Sequence, residues 1–297
     1  MEICVAICTY QRSSLRDTLE SLAKQSLSED ITLKVLVADN DKTNKAKDTI
    51  EAWAEEFGLN LRYVHAPSQN ISIARNACLD NVDCDWMASI DDDEIASVYW
   101  LSNLYKKAQL EKAAVVCGPV KAIYQENAPA WMKECDFHSQ HPVYVKGVIQ
   151  TTSTANALIH LKHPACAELR FDLSLGKSGG EDSSYFSSVY SNGGNITFAS
   201  DALVTEAVPL ERANLMWLLK RKFRFGQTCG ARVLKHKFSF KNKIKYSALA
   251  ICKFTFCLFM CLISILGSDK KYKWLLRGTL HFGVLAKLLG KNEITQY

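Results

Sequence analysis

Short apolar runs closed by polar turns alternate with stretches of helical periodicity along residues 1–120. Glu2–Thr9 (EICVAICT) predicts a first strand, rich in β-branched and apolar side chains. Leu15, Leu19 and Leu22 then fall at i, i+4 and i+7, one face of a helix that Ser13 or Ser14 can cap and that runs to about Gln25. The same reading predicts strands at 31–38, Leu61–His65, Trp86–Ile90 and 113–120, with helices at 45–57, 70–81 and 100–110 between them. Strand–helix alternation at this spacing argues for βαβ units and a mainly parallel sheet. Such crossovers are right-handed almost without exception, so the strands' carboxyl ends share one edge. The pattern lapses over 121–150, where Pro129-Ala130-Trp131 and His141-Pro142 mark loop. It resumes as a strand at 150–160, a Gly- and acid-rich loop at 170–182 opening a helix at 183–191, and a last strand at 198–204.

The fourth predicted strand is apolar and empties into Asp91, Asp92, Asp93 and Glu94. Four adjacent acids repel one another and hold their protons unless a cation sits among them. Hard carboxylate oxygens suit Mg²⁺ or Mn²⁺, ions that usually arrive with a phosphate. Polar ligands of parallel sheets bind in the crevice at the strands' carboxyl ends. A solvated acidic turn is the plainer reading, and this stretch by itself does not choose.

Charge changes the picture at the other end. Residues 1–211 hold 18 Lys and Arg against 29 Asp and Glu, a net of −11, whereas residues 212–297 hold 18 against 2, a net of +16. A basic tail implies a polyanionic surface, either nucleic acid or the cytoplasmic leaflet of a membrane. Within it residues 247–266 carry one charge, Lys253, over close to the length a bilayer span requires. Lys235, Lys237, Lys241, Lys243 and Lys245 precede this run and Lys270, Lys271 and Lys273 follow it, so the positive-inside rule gives no orientation. Such flanks predict a re-entrant or in-plane segment whose ends stay at the cytoplasmic face. Residues 274–289 add an amphipathic stretch, with Leu276, Leu280 and Leu288 on one side and Arg277, His281 and Lys287 elsewhere, as in-plane anchors have. The alternative is an intramolecular helical hairpin packed on the catalytic domain. The eleven Cys are odd in number and form no CxxC pair, which argues against a disulfide framework or a zinc site and fits a reducing compartment. The start MEICVAICTY enters a strand with no basic n-region, so no signal peptide is expected.

Taken in order, these segments resemble a family 2 glycosyltransferase with the GT-A fold, in the bacterial branch that builds exopolysaccharide and similar surface glycans. The resemblance covers roughly residues 3–228. Cys8-Thr9-Tyr10-Gln11-Arg12 is similar to that family's T-Y-N-R turn, Asp39 follows the second strand, and Ala74-Arg75-Asn76 opens the third helix. Ile90 through Glu94 looks like its metal-binding D-x-D segment, Thr154-Ala155-Asn156 like its T-G-N strand, and Gly179-Gly180-Glu181-Asp182 like its G-G-E-D motif. Glu206 through Arg212 and the run RKFRFG at 221–226 resemble its V-x-E-x-P and R-x-x-x-G closing elements. Two positions depart: Ala155 replaces the usual glycine, and Glu206 stands where many GT-A enzymes place a metal-binding histidine. The resemblance implies an α/β, Rossmann-like domain at 1–228, with a nucleotide-sugar-binding half at 1–120 and an acceptor-binding half at 121–228. A basic, partly apolar membrane-associating region follows at 229–297.

By resemblance, Asp93 is a direct ligand of a divalent metal (Mn²⁺ or Mg²⁺), and Asp91 a ligand or ribose contact. Such an ion neutralises the diphosphate of a nucleotide-sugar and acts as a Lewis acid on the leaving group. Asp182 is the expected general base, because displacement at an anomeric carbon needs the acceptor hydroxyl deprotonated as it attacks. Glu181 beside it would raise that basicity by like-charge repulsion, and Gly179 and Gly180 admit sugar close to the backbone. Either acid would cap the following helix equally well. Thr9, Tyr10, Arg12, Asp39 and Arg75 are the expected nucleotide contacts, Asp39 meeting the base, which is uracil in most of the family. Arg221 and Arg224 would clamp the diphosphate, and Trp131 and Asn156 complete the acceptor set. Core packing, turn structure and surface salt bridges account for the same residue types.

The expectation is an inverting, metal-dependent transfer from a nucleotide-sugar, UDP-linked, to a saccharide or lipid-linked saccharide. Its place would be the cytoplasmic face of the bacterial inner membrane, with no nucleic-acid partner. A sugar nucleotidyltransferase shares the sheet and the metal carboxylates, but it normally carries a Gly-rich loop after the first strand, and residues 9–15 contain no glycine. A nucleic-acid binder would use the basic tail, yet those charges surround apolar runs instead of interleaving with stacking aromatics.

Overall fold

A computed structural model describes residues 1–236, 239–266 and 269–292. Contacts divide the chain into two units: Met1–Ile123, Ser139–Lys177 and Glu181–Ala207 form the first, and Tyr124–His138, Ser178–Gly180 and Val208–Tyr297 the second. The strands are β1 (Glu2–Thr9), β2 (Thr32–Asp39), β3 (Leu61–His65), β4 (Trp86–Ile90), β5 (Glu94–Ala96), β6 (Val115–Cys117), β7 (Val120–Tyr124), β8 (Tyr144–Val145), β9 (Val148–Ile149), β10 (Asn156–His160), β11 (Ile196–Phe198) and β12 (Val204–Val208). The helices are α1 (Leu15–Ala23), α2 (Lys47–Glu56), α3 (Ile71–Asn81), α4 (Trp100–Glu111), α5 (Ala130–Cys135), α6 (Glu181–Ser191), α7 (Leu215–His236), α8 (Phe240–Ile263) and α9 (Lys270–Leu288).

The first unit is built on a seven-stranded sheet in the order β11-β6-β10-β4-β1-β2-β3. β1 runs parallel to β2 and β4, and β2 parallel to β3, as the alternation predicts. Along β1, Ile3, Val5 and Ile7 face one buried cluster while Cys4 and Ala6 face the other. Burial on both faces is why the sequence reads as an unbroken apolar run. β10 is the exception in direction, antiparallel to both β4 and β6, and its first residue, Asn156, sits opposite Ile90 at the end of β4. A smaller sheet, β5-β12-β7, continues from the acid segment, and β8 and β9 pair as a hairpin.

Two predicted strands are divided. The run at 113–120 breaks at Gly118-Pro119 into β6 and β7, because proline cannot donate to a ladder. The strand expected at 198–204 is a turn between β11 and β12, closed by Ala202 N–H donating to the Ala199 carbonyl, and it carries the chain from one sheet to the other.

In the second unit α9 lies between two neighbours. It runs antiparallel to α8, since Phe256 meets Trp274 while Phe254 meets Phe282, at ring-centroid distances of 5.6 Å each. It runs parallel to α7, with backbones so close that a Cβ on Gly226 would collide with the Leu280 carbonyl and one on Gly283 with the Phe223 carbonyl. Gly226 and Gly230 are one turn apart, and small residues at that spacing let helix backbones touch. The amphipathic stretch at 274–289 is therefore not an anchor with its leucines in lipid. Leu276 and Leu288 are buried by protein, so these two do not face lipid as the in-plane reading of that segment requires.

Candidate active site

β4 delivers its acids into a turn that folds on itself. Asp91 N–H donates to Glu94 Oε2 at 2.9 Å and Glu94 N–H to the Asp91 carbonyl at 3.3 Å. Two ties bind this turn to the end of β1: Thr9 Oγ1 donates to Asp92 Oδ2 at 2.8 Å, and Arg12 Nη1 pairs with Asp93 Oδ2 at 3.0 Å. Across the small sheet, Glu206 of β12 stands in register with Glu94 of β5.

These carboxyls are short of positive charge. Burial pushes Asp91 up to about 7, with Arg75 opposing and Asp93, Asp92 and Glu206 adding repulsion. Burial likewise raises Asp92 to about 6, against the Thr9 hydrogen bond, and holds Glu94 well above the usual carboxylate range. Glu94 Oε1 is buried with no hydrogen-bond partner. Among the described residues no three His, Cys, Asp or Glu side chains converge to hold a metal by themselves. The donor set fits an ion shared with a bound phosphate: hard oxygens, repelling charges and one unsatisfied buried acceptor.

α3 links this turn to the Gly- and acid-rich loop. Asn70 caps the helix by accepting from Ser72 N–H, and one turn later Arg75 forms an ion pair with Glu181, their side chains 14% and 7% exposed. Asn76 holds Phe171 by both backbone groups, at 3.0 and 2.8 Å, and Ser72 Oγ donates to the Asp172 carbonyl at 2.9 Å. A Cβ at Gly176 would overlap the Asn70 side chain, so a larger residue there would have to displace the cap of α3. Burial works against the Arg75 charge, but the fields of Glu181, Asp182 and Asp91 outweigh it and raise its pKa. One guanidinium thus answers to acids from both the β4 turn and the start of α6. Burial raises the Glu181 pKa too, with Arg75 opposing.

Asp182 is partly exposed in the first turn of α6, its Oδ1 accepting from Ser183 N–H at 2.5 Å. Glu181 does not stand beside it as an unpaired like charge; it is held by Arg75. Asp39 ends β2 with both oxygens engaged, by Tyr63 Oη at 2.7 Å and Asp41 N–H at 2.9 Å. Tyr10 is exposed and its hydroxyl accepts from Gln69. Asn156 corrects the acceptor set: it is 2% exposed, donates to the Pro119 and Ala202 carbonyls and accepts from Trp100 Nε1, which leaves it no reach to a sugar.

The remaining expected residues belong to the second unit. Gly179 and Gly180 adopt φ of +85° and +93°, a region that favours glycine, and Thr228 occupies the space a Cβ on Gly180 would need. Arg221 lies over the rings of Trp217 and Phe225, and the Arg224 guanidinium reaches to within 3.8 Å of where a Gly179 Cβ would stand. Trp131 stacks on Tyr272 with centroids 4.0 Å apart, so one face of the expected platform is already covered by α9. Sequence reasoning missed the Thr9–Asp92 tie and the Arg75–Glu181 pair, separated by 83 and 106 residues.

The model of the family described as Glycosyl transferase family 2 matches residues 4–173. Succinoglycan biosynthesis protein ExoM of Rhizobium meliloti (strain 1021) is 44% identical over 297 residues, covering 100% of this chain and 96% of that protein. Mannosyltransferase PcManGT from Pyrobaculum calidifontis, solved with GDP-Man and Mn²⁺, superposes with a TM-score of 0.65 at 16% identity, over 98% of this chain and 88% of that one. S. aureus TarS 1-349 in complex with UDP-GlcNAc gives 0.56 at 15% identity, over 98% and 93%. The two structural likenesses show a shared GT-A fold. With a family model over more than half its length and a relative 44% identical end to end, the chain belongs to glycosyl transferase family 2 and is a glycosyltransferase.

Proposed function

We propose that the enzyme moves a sugar from a UDP-sugar to a hydroxyl of a lipid-linked saccharide, with inversion, during synthesis of a cell-surface polysaccharide at the cytoplasmic face of the membrane. The observation that carries this reading is the buried ion pair of Arg75 with Glu181, which ties the helix after β3 to the acids that open α6, with the charge of Asp91 also acting on Arg75. The named relative supports the polysaccharide, and the structures solved with UDP-GlcNAc and with GDP-Man and Mn²⁺ support a nucleotide-sugar donor and a divalent ion.

Asp91 and Asp93 would hold the ion; bound there, it would supply charge neutralisation to the leaving diphosphate. Thr9 and Arg12 orient that turn through Asp92 and Asp93. Asp182 takes the proton from the acceptor hydroxyl as its oxygen bonds to the anomeric carbon, and the bond from that carbon to the diphosphate oxygen breaks on the opposite face. Glu181 positions Arg75, and with it the charge balance between the two acid groups. Residues 1–120 serve the donor, 121–228 the acceptor and 229–297 the membrane. The outward apolar surface of α8 supports the lipid attachment of the acceptor.

A thermal-shift panel of UDP, GDP, CDP and dTDP, with and without Mn²⁺, tests the donor side. The matching pair is expected to stabilise the fold by about 2.7 kcal/mol at a hundred times its Kd. Four nucleotides without any Mn²⁺-dependent shift would remove the reading.

A further inference from the structure

α8 is a 24-residue helix whose most apolar 18-residue window has a mean hydropathy of 2.0, long and apolar enough to cross a bilayer by length and composition. Only Ala250 and Cys257 of its residues are buried. Ile251, Phe256, Leu258, Phe259, Leu262 and Ile263 are all exposed on this one helix, and clustered exposed apolar side chains mark a contact surface. Resting on the membrane reading above, we infer that α8 does not cross the bilayer but lies in its plane, its outward face sunk among the acyl chains of an anionic leaflet.

The reason is what α8 is attached to. α9 accompanies it along the contact, from Cys261 Sγ bonded to the Lys271 carbonyl, through Gly278 against Cys257, to Phe282 against Phe254. Over that length α9 carries Lys271, Lys273, Arg277 and His281. A transverse α8 would take Arg277 and His281 into hydrocarbon with it, Arg277 near the level of Cys257 and so near the middle of the apolar run 247–266; charges there are costly. α9 cannot peel away, because its glycines lock it to α7, which brings Lys220, Arg221, Lys222 and Arg224.

The in-plane pose carries no such cost. Ala250, Lys253 and Cys257 fall at i, i+3 and i+7, so the one charge inside the apolar run is exposed at the edge of the α9 seam, off the outward face. Lys241 and Lys245 in the first two turns, and Lys273 and Arg277 on α9, are exposed where anionic headgroups would meet them.

The test places dansylalanine singly at Ile251, Thr255, Phe259 and Leu262 of the full-length protein, bound to phosphatidylethanolamine–phosphatidylglycerol vesicles. Quenching by lipids brominated at different acyl depths reads the depth of each. Equal, shallow depths at all four positions are expected, and Phe259→Glu with Leu262→Glu should abolish flotation with the vesicles. Depth changing steadily from 251 to 262, by roughly 1.5 Å per residue, would overturn the in-plane pose while leaving membrane binding intact. Flotation without quenching would assign binding to another surface, and no flotation at all would remove the membrane reading itself.

Discussion

Where the seven-stranded sheet ends, carboxyl groups are taken out of water; along α8, phenylalanines and leucines are left in it. Asp92 and Glu94 are buried with raised pKa values, while Phe259 and Leu262 are more than half exposed. Each region departs from ordinary burial, and the departures have opposite sign. In the function proposed above, a cation with its phosphate would complete the first and lipid the second. The packing beneath each is ordinary, with Ile3, Val5 and Ile7 under the first and glycine-mediated helix contact under the second. Local rules fail where function lies and hold just beneath it.

The contrast can be broken at the sheet end first. Asp182→Asn is expected to lower turnover by roughly 10²–10⁴-fold with the unfolding midpoint unchanged; a folded variant of near wild-type turnover would remove Asp182 as base. Arg75→Met leaves Glu181 buried without its partner and should cost about 3–5 kcal/mol in urea unfolding. Replacing Glu181 by Leu in that background should recover most of it, and a single-variant cost below about 1 kcal/mol would mean the pair is not buried. In the helical unit, Gly226→Ala forces a Cβ against the Leu280 carbonyl and is expected to cost about 1–3 kcal/mol, read as a lowered thermal midpoint.

The smallest effects differ in sign with pH. Asp91 moves from 3.8 to about 7 on folding, so the folded state holds the extra proton between those values. Its contribution is complete below the unfolded value and is lost as pH rises through about 7. His138, buried and stacked on Trp217, is lowered from 6.5 to about 4 by burial and then by Arg221. Its contribution is present above 6.5 and is lost as pH falls toward 4. Asp91→Asn and His138→Gln should flatten the stability–pH curve in opposite limbs. Mn²⁺ with the matching nucleotide should flatten only the alkaline limb, and a shift in the acid limb alone would contradict the acid cluster as the binding place.

Much of the parallel sheet was legible because β1, β2 and β4 are buried on both faces and so read as apolar runs whatever surrounds them. The turn after β4 stood out in the sequence because four adjacent acids repel one another, although the sequence did not show that Asp92 and Glu94 would be buried. Pairings across 83 and 106 residues were not, since nothing local in Thr9 or Arg75 points to Asp92 or Glu181. Asn156 misled because a polar residue in a strand suggests a ligand, whereas Trp100 and two carbonyls consume its polar atoms. The spacing of Gly226 and Gly230 was visible, but its partner Gly283 lies on another helix and leaves no mark on it.

α3 supplies Arg75 and also grips residues 171–176 through Asn70, Ser72 and Asn76. The proposed proton acceptor and its counter-charge consequently hang from one bracket. Anyone exchanging loops between relatives to change what is glycosylated would have to move 70–76 and 171–182 as a block, or the recipient hydroxyl would meet a carboxylate aimed elsewhere.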